Sequence, residues 1–168
     1  WIGYATVAGP ETKGPVRIVA SNEATEAKGM VVHVTDAADM VTIDTGKVSA
    51  RIPKSGRYLI DSLSVDGKEV ARHGELECID QTEPDTENHL SDPPRTEYYS
   101  EVQKVTVEQS GPVRAVVKIE GVHQQSGGVE RKAREWLPFV VRLYFYAGQE
   151  QVRMVHTIVF DGDQDKDF

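Results

Sequence analysis

The chain has 168 residues, 39% of them hydrophobic, so it can form a packed core and is not disordered throughout. Lysine and arginine number 19 against 27 aspartate and glutamate, a net charge of −8, with no basic stripe for a phosphate backbone, which argues against nucleic acid as a partner. No run of apolar residues is long enough for a transmembrane helix, and a lone cysteine, Cys78, rules out an intrachain disulfide and reads as an inert, buried thiol.

Trp1-Ile2-Gly3-Tyr4-Ala5-Thr6-Val7 reads as the tail of a strand, and Val16-Arg17-Ile18-Val19 as a strand after a Gly-Pro turn. Ser21 to Lys28 is the one weak helical signal. Met30 to Val34 follows Gly29 as a strand. Met40-Val41-Thr42-Ile43 and Lys47 to Ile52 flank Asp44-Thr45-Gly46, and Leu59 to Val65 and Lys68 to Ala71 flank Asp66-Gly67. Each pair reads as a hairpin, because the turn glycine accepts a positive φ. Pro53-Lys54-Ser55-Gly56 interrupts the pattern and marks a domain boundary, with residues 1–52 on one side and 53–168 on the other.

From Glu75 to Glu101 nine acids stand against Arg95 alone, a local charge of −8 equal to that of the whole chain. With Pro84, Pro93 and Pro94 inside it, this stretch is expected to be largely a solvated acidic loop, centred on residues 80–101 and mobile from Glu83 to Tyr98. Val105 and Val107 then alternate with polar residues before the Ser110-Gly111-Pro112 turn. Val113, Ala115, Val117 and Ile119 form one face of the next strand, Arg114, Lys118 and Glu120 the other. Period two means a half-buried antiparallel strand. Gly121 to Glu135 reads as a polar connection. Trp136 to Tyr146 and Gln151 to Phe160 then pair across Ala147-Gly148-Gln149-Glu150, completing a four-strand antiparallel meander. The expected fold is all-β, with this antiparallel meander large enough to pack against another sheet. Trp1 in place of an initiator Met, and the absence of a closing element after Asp161, lead us to expect a chain cut at both ends.

Few residues suggest chemistry. Arg142, Tyr144 and Tyr146 share the strand face opposite Phe139, Val141, Leu143 and Phe145. An arginine with two tyrosines suits a sugar carboxylate and a stacked pyranose; the plainer reading is a packing surface with Arg142 paired to an acid. Trp136 is a second sugar platform or a seal on the core edge. His156 falls among Val152, Met154, Ile158 and Phe160, as a satisfied core histidine or a base poised near neutral pH. Asp161, Asp163 and Asp165 have the alternation that opens a calcium loop, but Gly162 occupies the second place and no distal bidentate acid follows, so a solvated turn is the rival reading. No nucleophile elbow, zincin, Walker or paired-cysteine signature occurs, and no catalytic residue is assigned.

Ser110 to Val117, Phe139 to Gly148, Val155 to Asp163, Gly56 to Gly67 and Trp1 to Arg17 together resemble the exo-rhamnogalacturonan-lyase-like, or YetA-like, family of bacterial and fungal proteins. The likeness rests on strand segments and turns across nearly the whole chain. It implies a secreted parent, extracellular or periplasmic, acting on acidic plant-type polysaccharide. In such a parent a small RIFT-type β-barrel, a β-sandwich and a larger helical catalytic domain follow one another. On that reading the chain is a non-catalytic module whose partner is its own C-terminal catalytic domain, with acidic polysaccharide as a further partner and no cofactor beyond the calcium reading. The alternatives are a stand-alone carbohydrate-binding module using Trp136, Arg142 and Tyr144, or a complete lyase.

Overall fold

A computed structural model describes residues 14, 29–81, 93–126 and 134–163. It contains ten strands: β1 (His33–Asp36), β2 (Met40–Asp44), β3 (Val48–Pro53), β4 (Ile60–Val65), β5 (Lys68–Gly74), β6 (Glu77–Gln81), β7 (Arg95–Ser110), β8 (Arg114–Gln125), β9 (Glu135–Tyr146) and β10 (Val152–Ile158). Chain order is also spatial order. β1 to β5 form one antiparallel sheet, and β6 to β10 form a second with β10 and β6 at its edges. There is no helix among the described residues.

Alternation is what stacks the sheets. Val41, Ile43, Val48, Ala50 and Ile52 point inward from β2 and β3, and meet Ala115, Val117, Ile119, Phe139, Val141, Leu143 and Phe145 from β8 and β9 in one hydrophobic core. The inward β9 residues are at most 1% exposed, and each such side chain contributes about 1.5–3 kcal/mol. The β4–β5 hairpin turns on Asp66 and Gly67, both at positive φ (48° and 77°), the geometry that two-residue hairpins demand.

Several expectations are corrected here. The boundary at 52/53 falls inside the first sheet: Ile52 and Pro53 belong to β3, which pairs with β4, and the strands on both sides share one core. The two ends of the acidic stretch are not loop: Glu77–Gln81 and Arg95–Glu101 are paired strand, Cys78 opposite Tyr98 and Asp80 opposite Thr96. Backbone pairing holds these acids in the edge strand β6 and its neighbour β7, where their carboxylates still reach water. Gly121 to Gln125 extends β8 instead of forming a connection, and Val102 stands opposite Gly121. The expected N-terminal barrel strands, the helical signal at 21–28, and residues 83–92 of the loop lie outside the described residues.

Two features shape the second sheet. β7 is 16 residues long and carries register shifts at Val102/Lys104 and Val107/Gln109, which bend it and increase its twist. Across β8 and β9 the pairing shifts between Gly121↔Phe139 and His123↔Trp136, so β9 carries one extra residue there. Leu137 sits in that shift at φ 45°. Its N–H donates to Asp161 Oδ1 at 2.9 Å, and its carbonyl accepts from His123 Nδ1 at 2.7 Å. Both partners hold a conformation that a branched side chain otherwise avoids.

Candidate functional site

The outward face of β8, β9 and β10 gathers the polar and aromatic groups. Cross-strand register places Lys118 beside Arg142, Arg114 beside Tyr146, and Arg153 beside Tyr144. Arg142 reaches across to Glu108 on β7 and donates twice, Nε to Oε2 at 2.9 Å and Nη2 to Oε1 at 3.1 Å. That hydrogen bonding, with the guanidinium charge behind it, holds the Glu108 carboxyl below its ordinary value. Lys118 Nζ lies 3.1 Å from Glu120 Oε2, an ionic contact without a hydrogen bond. The Arg153 guanidinium lies 5.4 Å above the Tyr144 ring.

At the hairpin end of this face Tyr146, Gln149, Gln151, Val152 and Arg153 line an open depression of about 400 Å³. A second, polar depression of about 160 Å³ is lined by Arg57, Tyr99, Ser100, Glu101, Gln124, Gln125 and Ser126. There the Arg57 guanidinium stacks 3.5 Å over Tyr99 and forks onto Glu75, which raises its pKa further. Tyr99 donates its hydroxyl to Glu97 at 2.7 Å, and that bond is the first reason its pKa is raised.

Of the expected site residues, Arg142, Tyr144 and Tyr146 do share one half-exposed face. Arg142 is paired to an acid, so its fork is occupied. Trp136 is not with them. Strict alternation from Arg142 would put it on the same face, but the extra residue at Leu137 turns Trp136 inward, opposite His123 and against Tyr98. It is 6% exposed, too buried to present its ring to a sugar, and its Nε1 has no hydrogen-bond partner. Arg134 lies over the ring at 5.0 Å.

His156 is also corrected. Register opposite Val141 puts it on the core-facing side of β10, as alternation requires, and it packs edge-on to Phe139 at 6.3 Å. Yet it is exposed, as are Met154 and Ile158 beside it, on an edge strand that pairs only with β9 among the described strands. Partial burial, followed by the neighbouring His123, lowers its pKa. The buried histidine is instead His123, 2% exposed. Its Nδ1 faces a carbonyl, so that nitrogen carries the proton.

For calcium, Asp161 spends one carboxylate oxygen on the Leu137 N–H, Asp163 is exposed, and Asp165 lies outside the described residues. Among the described residues no three His, Cys, Asp or Glu side chains converge on a metal position. Burial raises the Cys78 thiol, Asp80 adding to it, which suits an unreactive cysteine.

Sequence reasoning missed Arg153, Gln149 and Gln151 in the larger depression and the Arg57–Tyr99 stack in the smaller. The first three sit in or beside the expected β9–β10 turn and were within reach. Arg57 and Tyr99 meet only through the packing of the two sheets, and no local pattern announces that.

Two comparisons bear on this arrangement. Residues 32–168 match the family described as the PcRGLX-like protein central beta sandwich domain. The chain belongs to the PcRGLX-like family. The matched span begins one residue before β1 and takes in every described strand of both sheets. The chain is also 40% identical over 121 residues to the uncharacterized protein YetA of Bacillus subtilis (strain 168), a stretch covering 72% of this chain and 14% of that protein. This PcRGLX-like sandwich therefore spans about a seventh of the length of the relative it matches.

Proposed function

We propose that this PcRGLX-like sandwich is a non-catalytic module of a longer, secreted, lyase-like protein acting on acidic plant-type glycan, serving as scaffold and substrate-side wall for a catalytic domain elsewhere in the polypeptide. β-Elimination from a uronate needs a cation for the carboxylate, a base for the C5 proton and an acid for the leaving oxygen. One observation carries the non-catalytic reading: Arg142 and His156 lie on opposite faces of the same sheet. Arg142 stands opposite Val155, so the neighbouring His156 projects the other way. No single sugar can touch both, and the Arg142 fork is already engaged by Glu108. The test is incubation of the purified chain with rhamnogalacturonan and with glucuronate-bearing glycans. The ultraviolet absorbance of unsaturated uronate should stay at the level of a denatured control, and growth above it overturns the reading.

A carbohydrate-binding role is the second reading. Its support is the depression at Tyr146, where an aromatic ring, two glutamines and Arg153 supply stacking, hydrogen bonds and a positive charge in one concavity.

A further inference from the structure

We propose that β10 is a self-pairing edge: two copies of this chain join their β10 strands antiparallel, and the second sheet of one runs on into that of the other. This goes beyond the proposed function and stands whether or not the sandwich is catalytic.

A sheet edge presents unpaired backbone N–H and C=O groups to any other strand, and folded proteins blunt it with short strands, bulges and charge. Three of the four edges here are blunted in this way. β1 has only four residues and ends on Asp36. β5 carries Lys68, Glu69 and Arg72, its register with β4 shifts at Leu63/Ser64, and His73 kinks it at φ 53°. β6 has five residues, Glu77 and Asp80 among them. β10 has none of these devices. Its seven residues pair with β9 without a break, and Arg153 is the one lysine, arginine, aspartate or glutamate in it. Val152, Val155, Thr157 and Ile158 are β-branched, which suits a pleated ladder. Its other side meets no strand among the described residues.

The sequence of β10 fits a second copy of itself. Run antiparallel about a two-fold axis at Val155, Val152 faces Ile158, Arg153 faces Thr157 and Met154 faces His156, each pair made twice. Neither arginine meets the other. Met154 and Ile158, each 51% exposed, then lie beside His156 and Val152 of the second copy instead of facing water.

Charge favours the same edge. The chain carries −8, yet Glu77 and Asp80 stand on β6, four strands from β10 and so roughly 19 Å away. That exceeds the screening length of about 8 Å at physiological salt, so copies paired through β10 keep those acids apart. Seven residues fall short of the roughly 20–30 per side in a tight interface, and the dimer is accordingly a weak one, micromolar to millimolar.

Sedimentation velocity of the full chain over a concentration series reads the dimer, and the register gives the test a sign. Thr157→Glu puts an acid opposite each Arg153 and should tighten the dimer by about twofold to thirtyfold; Thr157→Arg puts like charges there and should weaken it as much. Thr157 is exposed and stands opposite Val140, so neither change disturbs the core. In a Cys78→Ser background, Val155→Cys on the axis brings two Cα atoms to about 4.5–5.5 Å, within disulfide reach, and glutathione disulfide should link the copies. Thr157→Cys leaves the two Cα atoms roughly 14 Å apart and should stay unlinked. A monomer at every concentration up to millimolar overturns the proposal. So does a dimer that responds alike to Thr157→Glu and Thr157→Arg, or linkage at position 157 equal to that at 155, since either places the contact elsewhere.

Discussion

Gly121, on β8, lies between Val102 of β7 and Phe139 of β9. A Cβ placed there would stand 2.2 Å from the Glu101 carbonyl oxygen and 2.6 Å from Phe139 Cζ. The oxygen belongs to the backbone of a strand paired on both sides, and Phe139 is 1% exposed in the core. Neither can move without disturbing the ladder or the packing. Overfilling a core costs about 1–3 kcal/mol, and two simultaneous clashes, one with backbone, put Gly121→Ala at the upper end, about 3 kcal/mol. For a chain of this length that corresponds to a fall in Tm of about 6–12 °C. Gly74 is the matched control, since a Cβ there meets Ile60 Cβ at 3.5 Å, an ordinary contact, and its φ needs no glycine. Gly74→Ala should stay within about 1 kcal/mol of the parent, with the reduced freedom of the unfolded chain working in its favour. Thermal unfolding followed by far-ultraviolet circular dichroism reads both. A Gly121→Ala melt within about 2 °C of the parent would show that β7 yields where this reasoning says it cannot.

Thr45 is 1% exposed, and its Oγ1 accepts from the Val48 N–H at 2.8 Å in the β2–β3 turn. Thr45→Val keeps the shape but orphans that donor, so urea unfolding should reveal a loss of about 1–3 kcal/mol, with Thr45→Ser retaining more of the stability. His156→Ala should change stability by no more than about 0.5 kcal/mol in the isolated chain, because the side chain is exposed; a larger loss on denaturant titration would mean that β10 is covered there. NMR titration of His156 should place its pKa below the ordinary 6.5. Since the unfolded chain then binds the proton more readily, stability is lost as pH falls below that value and the loss is complete below the folded pKa. A measured pKa at or above 6.5 would refute the partial burial.

Much of the second sheet was legible in the sequence. Val117 and Ile119, and Phe139 to Phe145 at every second place, announce strands with one buried face, and each of those residues is at most 1% exposed. The Asp66-Gly67 hairpin was readable because only turns with positive φ at both central positions join strands so tightly. The acidic stretch misled because charge density there reports water contact, which an edge strand satisfies as well as a loop does. Trp136 misled because parity is a local rule that holds only until a bulge inserts one residue; the local mark of that bulge is Pro138, which an interior strand tolerates only at its start or at a bulge.

The sequence by itself determined the fold class, the meander and the inward side of β8 and of β9 from Phe139 onward, since these follow from side-chain alternation and turn chemistry over a few neighbouring residues. The tertiary structure alone decided what lies across from each face. It joined Glu108 to Arg142 and Arg57 to Tyr99, which are distant along the chain, turned Trp136 into the interior, and left Met154, His156 and Ile158 on the inward side of β10 exposed. Burial is a property of two surfaces in contact, and a strand's own pattern specifies only one of them.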